Sequence, residues 1–137
     1  MCLWTFFEFI CRNKELVKSL YEAYVNEDID TFVSLMSDDV VFKLPGSWKH
    51  SGTYNGIQEV LEKALPGMAS NLPGLKPYPS QFWQDGDTIF AKVDVKSPTL
   101  DYQTFHVIVV SGDKIVFFEA WDWDTHAMSK AFNLEIE

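Results

Sequence analysis

The stretch HVIVVSGDKIVFFEAWDWD, residues 106–124, decides the fold because it predicts two antiparallel strands joined by a tight turn. Apolar residues dominate both halves, and the dipeptide Gly112-Asp113 between them is typical of a β-hairpin turn. The second half also carries three acids, Glu119, Asp122 and Asp124. An ionised carboxylate is costly on an apolar surface, so an acid that faces the interior needs a partner or a function.

The length of the turn determines which acid shares a sheet face with His106. A two-residue turn places His106 opposite Glu119. On that face, the neighbours of His106 are then Glu119, Trp121 and Trp123. A three-residue loop shifts the pairing by one residue and exchanges the two faces. The neighbours of His106 are then Phe118, Ala120 and Asp122. The residues alone leave both registers open.

A second hairpin is predicted over residues 80–95, SQFWQDGDTIFAKVDV, around the dipeptide Asp85-Gly86. After this turn, two sets of side chains alternate along the strand. The apolar set is Ile89, Ala91, Val93 and Val95. The other set is Phe90, Lys92, Asp94 and Lys96. The charged members of the second set indicate either a solvated sheet face or a charged pocket wall, and both interpretations stay open.

Three helices are predicted in the first half of the chain. The first begins at Asn13, which can cap it, and apolar spacings of three and four give it one inward face. That face holds Leu16, Leu20 and Tyr24. The second covers residues 28–39 and turns four apolar residues inward: Ile29, Phe32, Val33 and Met36. The third, IQEVLEKAL from Ile57, is ended by Pro66-Gly67.

A first strand, DVVFKL over residues 39–44, separates the second and third helices and stops at Pro45-Gly46. A connection rich in proline then leads to the strands of the second half. Its prolines are Pro73, Pro77 and Pro79. Helices followed by antiparallel strands predict an α+β fold, with the helices on one face of a bent sheet.

Length and composition predict a single domain over residues 13–137. The net charge of −9 argues against nucleic acid or an anionic membrane as a partner. Two cysteines, Cys2 and Cys11, form neither a zinc motif nor a disulfide framework, so a cytoplasmic location is the default expectation. No metal or cofactor motif is present, and we expect no cofactor.

Residues 1–12 form an apolar N-terminal extension. No Lys or Arg precedes the apolar run and Glu8 interrupts it, which argues against a signal peptide. The run is also too short to span a bilayer. Either it extends the first helix and packs on the domain or on a second subunit, or it is a partly ordered leader.

Three stretches together resemble the SnoaL-like and ketosteroid-isomerase-like branch of the nuclear transport factor 2 (NTF2-like) superfamily. The resemblance covers roughly residues 14–132, and it depends on the order and spacing of the stretches. They are YVNEDIDTFVSLMSDDVVF, PGSWKHSGTYNGIQEVL and HVIVVSGDKIVFFEAWD. The resemblance implies a cystatin-like cone, in which three N-terminal helices pack on a strongly curved mixed, mostly antiparallel sheet that encloses a pocket. It also implies a homodimer through the outer face of the sheet.

The same resemblance identifies candidate site residues. In ketosteroid isomerases an Asp base works with acidic or phenolic oxyanion-hole groups. Leu44 matches the base position and Leu20 the tyrosine position, which argues against steroid isomerisation. Polyketide cyclases of the SnoaL type instead imply a catalytic pair, Asp122 and His106, with Asp122 on the face of His106. The substrate-binding candidates are Tyr24, Phe42, Leu44, Trp48, Tyr54, Trp83, Ile108, Phe118 and Ala120.

Two functions remain open at this level. The first is a cofactor-independent acid–base enzyme, like an isomerase or cyclase, acting on a small apolar cyclic or polyketide-like molecule. Asp122 would exchange the proton, and His106 would donate to the developing enolate oxygen or hold the charge of the carboxylate. The second is a non-catalytic small-molecule-binding or dimerisation module on the same fold. It predicts that Asp122 and His106 lie on opposite sheet faces or without a pocket between them.

Overall fold

The structure, a computed structural model, describes residues 5–46 and 49–122, with side chains from Arg12 to Trp121. In these residues, six strands form one mixed sheet in the order β2-β1-β6-β5-β4-β3. The strands are β1 (Met36–Leu44), β2 (Gly52–Asn55), β3 (Lys76–Asp85), β4 (Thr88–Lys96), β5 (Tyr102–Ser111) and β6 (Lys114–Asp122). Within the described residues, the pairing of β1 with β6 is parallel and the others are antiparallel. The α+β prediction is confirmed.

The helices precede or interrupt these strands. They are α1 (Thr5–Val25), α2 (Ile29–Ser34), α3 (Gly56–Glu59) and α4 (Leu65–Asn71), with a π-helical turn at Val60–Ala64 between the last two. The core lies between α1, the third helical segment and one face of the sheet. Its fully buried members include Val17, Val40, Val60, Ile89, Val93 and Ile115.

The first helix starts earlier than its predicted cap. α1 begins at Thr5, so Asn13 lies inside the helix, where it is 1% exposed. Neither polar atom of its side-chain amide has a partner in the described part of the chain. The prediction of Asn13 as a cap was wrong because the apolar residues before it continue the helix. At the other end, Lys76 Nζ donates to the Val25 carbonyl and ties α1 to β3.

The second helix is shorter than predicted. Asp28 caps it by accepting a hydrogen bond from the Thr31 backbone N–H at 3.2 Å, and the helix ends at Ser34. Met36 therefore starts β1 rather than closing α2. Ile29 is 37% exposed, so its predicted inward position was wrong, because the first helical residue lies at the surface. Phe32 is buried as predicted.

The third helical segment continues through Pro66-Gly67, where it was predicted to end. The π-helical turn resets the hydrogen-bond pattern just before Pro66, which then falls in the first turn of α4. Pro66 has no N–H to donate to the preceding turn, and the change from the π-helical to the α-helical hydrogen-bond pattern falls next to this residue. Gly67 is needed for another reason: a Cβ on it would lie 2.6 Å from Cγ of His50.

β3 includes Pro77 and Pro79, which were predicted to lie in a connection. β3 is an edge strand, so a missing N–H does not break the interior of the sheet. Its pairing with β4 shifts by one residue between Pro79 and Gln81. The turn of this hairpin is Gly86-Asp87, one residue later than predicted, because Asp85 pairs with Thr88.

The β5–β6 hairpin combines features of both predicted registers. Ser111 pairs with Lys114, so the turn holds the two residues Gly112 and Asp113. Val109 nevertheless pairs with Phe117, because Val116 is an extra residue that forms a β-bulge. Beyond the bulge, the register is the one expected for a three-residue loop. His106 therefore lies opposite Ala120, and Ile108 lies opposite Phe118.

Candidate functional site

An apolar pocket lies between α1, the third helical segment and the inner face of the sheet. Its volume is about 750 Å³, which includes the space at its open mouth. Tyr102, Thr104 and His106 follow one another along its wall on β5. Ile108, the next residue on that face, is fully buried in the core. The pocket therefore ends at His106, which marks its deep end.

Side chains from both layers of the fold form the walls. α1 contributes Leu20, Tyr21 and Tyr24. β1 and β6 contribute Phe42, Leu44, Phe118 and Ala120. The segment from α4 to β3 contributes Leu65, Met68, Asn71, Leu72, Leu75 and Pro77. None of the described lining residues is Asp, Glu, Lys or Arg. Such a wall suits an apolar ligand that is oriented by a few polar groups.

Tyr21 and His106 form a polar pair at the deep end. Tyr21 Oη lies 2.7 Å from His106 Nδ1, and the two ring planes are within 7° of parallel. The ring of Phe118 packs against His106, with the centroids 4.7 Å apart. Within the described part of the chain, Tyr21 is the hydrogen-bond partner of the imidazole.

Burial keeps this pair uncharged. It lowers the pKa of His106 from 6.5 to about 3, because a buried imidazolium loses its hydration. Burial also raises the pKa of Tyr21 well above its ordinary value. The imidazole is therefore neutral at physiological pH. It can donate or accept a hydrogen bond, but it does not supply a positive charge to hold a carboxylate.

Asp122 is described as a backbone position at the end of β6, and its side chain lies outside the described part. It pairs with Thr104, which is 2% exposed and lines the pocket. Directly paired residues of an antiparallel ladder belong to the same face. Asp122 therefore occupies a pocket-face position, one row closer to the mouth than His106 and diagonal to it. Asp124 and Trp123 lie outside the described residues.

Glu119 belongs to the opposite face of β6 and has partners there. Its carboxylate accepts a hydrogen bond from Trp121 Nε1 at 2.7 Å and lies 3.8 Å from Lys43 Nζ. Trp121 is 57% exposed on this outer face. The bulge thus separates the acids of the hairpin, with Glu119 paired at the surface and the Asp122 position on the pocket side.

Five of the predicted substrate-binding residues line the pocket: Tyr24, Phe42, Leu44, Phe118 and Ala120. Ile108 does not, because the pocket closes one row before it. Trp48 lies outside the described residues.

Two other candidates are not among the residues that line the pocket. Trp83 is 44% exposed on the outer face, because its neighbour Phe82 pairs with Ala91 and points inward. The Trp83 ring instead packs 5.9 Å from that of Phe105. Tyr54 lies opposite Phe42 on the edge strand β2 and packs against the core, but it does not line the pocket, and its hydroxyl donates to the His50 carbonyl at 2.7 Å.

Tyr21 was not predicted as a site residue, although the sequence places it beside Leu20 on the inward side of α1. Residues of α4 were missed because its start was predicted to be a helix end. A signal was available there, since Leu65, Met68 and Leu72 have the three- and four-residue spacing of a helix face.

In the described part of the chain, no cluster of His, Cys, Asp or Glu could hold a metal ion. No described helix has both the length and the apolar character needed to cross a membrane.

Comparison with known proteins gives a family match and several structural neighbours. Residues 17–118 match the family model described as a SnoaL-like domain. No curated protein matches the sequence.

Among solved structures, TerC crystallised with polyporic acid has a TM-score of 0.77 and 24% identity over 89% of this chain and 98% of its own. A protein of unknown function with a cystatin-like fold from Xanthomonas campestris has a TM-score of 0.79 and 22% identity, covering 90% and 98% of the two chains. A proposed polyketide cyclase from Sinorhizobium meliloti has a TM-score of 0.67 and 16% identity, covering 77% and 93%. At these identities the likeness shows the fold, and it confirms the predicted cystatin-like, NTF2-like class.

Proposed function

The chain belongs to the SnoaL-like domain family, and from that premise we propose that it is a cofactor-independent acid–base enzyme acting on a small apolar cyclic or polyketide-like molecule. The observation that carries the proposal is the register of β5 and β6. It puts the Asp122 position on the same sheet face as His106, next to an apolar pocket. The alternative of a non-catalytic module predicted opposite faces or no pocket between the two residues.

The spacing of the two residues suits a substrate held between them. Diagonal neighbours on an antiparallel pair are about 7 Å apart, which leaves room for a carbon and an oxygen of one molecule. In the proposed reaction, the Asp122 carboxylate takes a proton from a carbon next to a carbonyl group. His106 donates a hydrogen bond to the oxygen on which negative charge develops. The neutral state of His106 favours this role over charge compensation.

Two neighbours in the comparisons are consistent with small-molecule chemistry on this fold. One was crystallised with polyporic acid, and another is a proposed polyketide cyclase. A binding module without catalysis remains the second candidate function, because Leu44 replaces the base of the ketosteroid isomerases and lines the pocket. Such a module would hold the same ligands without moving a proton.

Proton exchange at carbon separates the two functions. 2-Acetylnaphthalene is a flat apolar ketone whose methyl protons exchange with deuterium from D2O when a base removes them, and NMR follows this loss. We expect the protein to accelerate the exchange and Asp122→Asn to lower the acceleration by about 100-fold or more, the usual contribution of a general base. Glu119→Gln is the matched control, because it removes a carboxylate from the outer face of the same strand. If Asp122→Asn exchanged protons as fast as the unmodified protein, the acid–base role would be wrong. Binding without any acceleration would favour the non-catalytic module.

We also propose that two copies pair through the outer face of the sheet. The rings of Trp83 and Phe90 both pack against that of Phe105 there, at centroid distances of 5.9 and 6.0 Å. Trp83 and Trp121 are 44% and 57% exposed. Exposed aromatic residues are enriched at protein interfaces. The ion pair of Lys43 with Glu119 adds both signs of charge to this face, so a second copy of an acidic chain meets attraction as well as repulsion.

A further inference from the structure

The hydrogen bond between Tyr21 and His106 has a consequence for the ligand that the pocket selects. We propose that Tyr21 fixes His106 in the tautomer that carries its proton on Nε2, and that the deep end of the pocket therefore binds a neutral oxygen acceptor such as a ketone carbonyl. The proposal rests on the small-molecule pocket of the proposed function and narrows its ligand class. Tyr21 acts in it as a positioning residue.

The direction of the hydrogen bond follows from the chemistry of the two groups. A phenol is a good donor, and the lone pair of a neutral imidazole nitrogen is a far better acceptor than a phenol oxygen. The 2.7 Å separation of Tyr21 Oη and His106 Nδ1 is typical of a strong bond of this kind. The reverse direction would leave the phenol proton without an acceptor in the described part of the chain. Tyr21 therefore donates, and Nδ1 carries no proton.

The proton of a neutral imidazole must then lie on Nε2. No described side chain or backbone group accepts a hydrogen bond from this nitrogen. His106 keeps 7% of its surface exposed and lines the pocket. On the neighbouring strands it is flanked by Ala91 and Ala120, whose small side chains leave space beside the ring. Nε2–H is thus a donor that a ligand can reach.

The electrostatic surroundings make this donor selective for an uncharged acceptor. Tyr21, Tyr24 and Tyr102 are the other titratable side chains of the described lining, and burial raises the pKa of Tyr21 and Tyr24. No described lining residue offers a cation. A carboxylate at the deep end would lose its hydration for one neutral hydrogen bond, whereas a ketone loses much less.

The tautomer can be measured without a ligand. Nitrogen-15 NMR of histidine-labelled protein distinguishes a protonated ring nitrogen from an unprotonated one, and His106→Phe assigns the signals of this histidine. We expect Nε2 to be protonated and Nδ1 unprotonated. Tyr21→Phe should remove the Nδ1 hydrogen-bond shift, whereas Tyr78→Phe, which removes an exposed phenol on β3, should change nothing. A proton on Nδ1 in the unmodified protein would overturn the proposal.

Ligand selectivity is tested with three probes of nearly the same shape. They are 2-acetylnaphthalene, which has a neutral acceptor, 2-isopropenylnaphthalene, which has none, and 2-naphthoate, which is an anion at neutral pH. Calorimetry gives the dissociation constant of each probe for the unmodified protein, His106→Phe and Tyr78→Phe. We expect the preference for the ketone over the hydrocarbon to be about tenfold larger in the unmodified protein and in Tyr78→Phe than in His106→Phe. Naphthoate should bind the unmodified protein at least about tenfold more weakly than the ketone.

The outcomes distinguish this inference from the proposed function. An equal ketone preference with and without His106, or naphthoate binding as tightly as the ketone, would overturn the inference and leave the pocket as a binding site. Failure of all three probes to bind would overturn the proposed pocket function itself. If His106→Phe did not fold, Tyr21→Phe and the tautomer measurement would still decide the inference.

Discussion

The two faces of the β5–β6 hairpin differ in what their aromatic and acidic residues contact. On the inner face, His106 is bonded to Tyr21 beside an apolar pocket and is held neutral by burial. On the outer face, Glu119 is half-buried and paired with Lys43 and with the exposed Trp121. The same two strands thus provide a site for a small molecule on one side and, in our proposal, a surface for a second copy on the other. A single extra residue, Val116, determines which residues belong to which face.

Insertion of one alanine between Phe117 and Phe118 is expected to have the largest effect. The residues after the insertion would move by one register position, which would turn Glu119 and Trp121 to the inner face and the Asp122 position to the outer face. The backbone N–H of Ile115 donates to the Leu35 carbonyl at 2.9 Å, which holds the start of β6 in place and prevents an easy slip. We expect a loss of more than about 4 kcal/mol in the free energy of unfolding, or no folded protein, by urea denaturation.

Val116→Ala is the control for this insertion. It keeps the extra residue and shortens only a half-buried side chain, so we expect a change of about 1 kcal/mol or less. An insertion variant as stable as Val116→Ala would show that the register of β6 does not control the faces.

A charge on the outer face should break the proposed dimer. Phe105→Lys places an ammonium group among the rings of Trp83 and Phe90. We expect the dimer dissociation constant to rise by at least about 100-fold, equivalent to roughly 3 kcal/mol, because an unpaired charge would be buried between the copies. Light scattering coupled to size exclusion measures the change. Ser111→Lys adds the same charge at the exposed end of β5 and should leave the dimer intact. A monomeric unmodified protein would contradict the proposal directly.

Lowering the pH should reduce the free energy of unfolding, because His106 on the inner face is held neutral in the folded protein. The pKa of His106 is about 3 in the folded protein and near 6.5 in an unfolded chain. Between these values the unfolded chain binds the extra proton, so stability falls as the pH falls from 6.5 towards 3. From pH 7 to pH 5, we expect this histidine to remove about 2 kcal/mol from the free energy of unfolding.

The comparison that isolates this effect is between the unmodified protein and His106→Phe. The difference between their free energies of unfolding should change by that amount from pH 7 to pH 5, whereas Tyr78→Phe should follow the unmodified protein at both pH values. A constant difference between the unmodified protein and His106→Phe would mean that His106 is not held neutral.

Elements in which apolar and polar residues alternate along the chain were predicted from the sequence. The inward set on β4, Ile89, Ala91, Val93 and Val95, is buried as predicted, because apolar residues at every second position must share one sheet face. The α+β class and the inward position of Phe32 followed from the same kind of periodicity.

Features that shift a pattern by one residue could not be predicted. Val116 is an ordinary strand residue, and nothing in its chemistry indicates a bulge. The π-helical turn before Pro66 similarly allowed the helix to pass a residue that normally ends one. Trp83 was assigned to the pocket because an aromatic residue suits both faces of a sheet, and only the pairing of Phe82 with Ala91 decides between them. The partnership of Tyr21 with His106 joins residues 85 positions apart, so the sequence could not indicate it.

The most direct test of the account is to observe which face of this hairpin responds to a ligand. Thr104 and Ala120 carry methyl groups on the inner face, and Val107 and Val109 carry methyl groups on the outer face of the same strands. In a methyl-labelled sample titrated with 2-acetylnaphthalene, we expect the NMR signals of Thr104 and Ala120 to shift and those of Val107 and Val109 to stay in place. Shifts confined to the outer-face valines, or shifts at none of the four residues, would contradict the assignment of the inner face as the site.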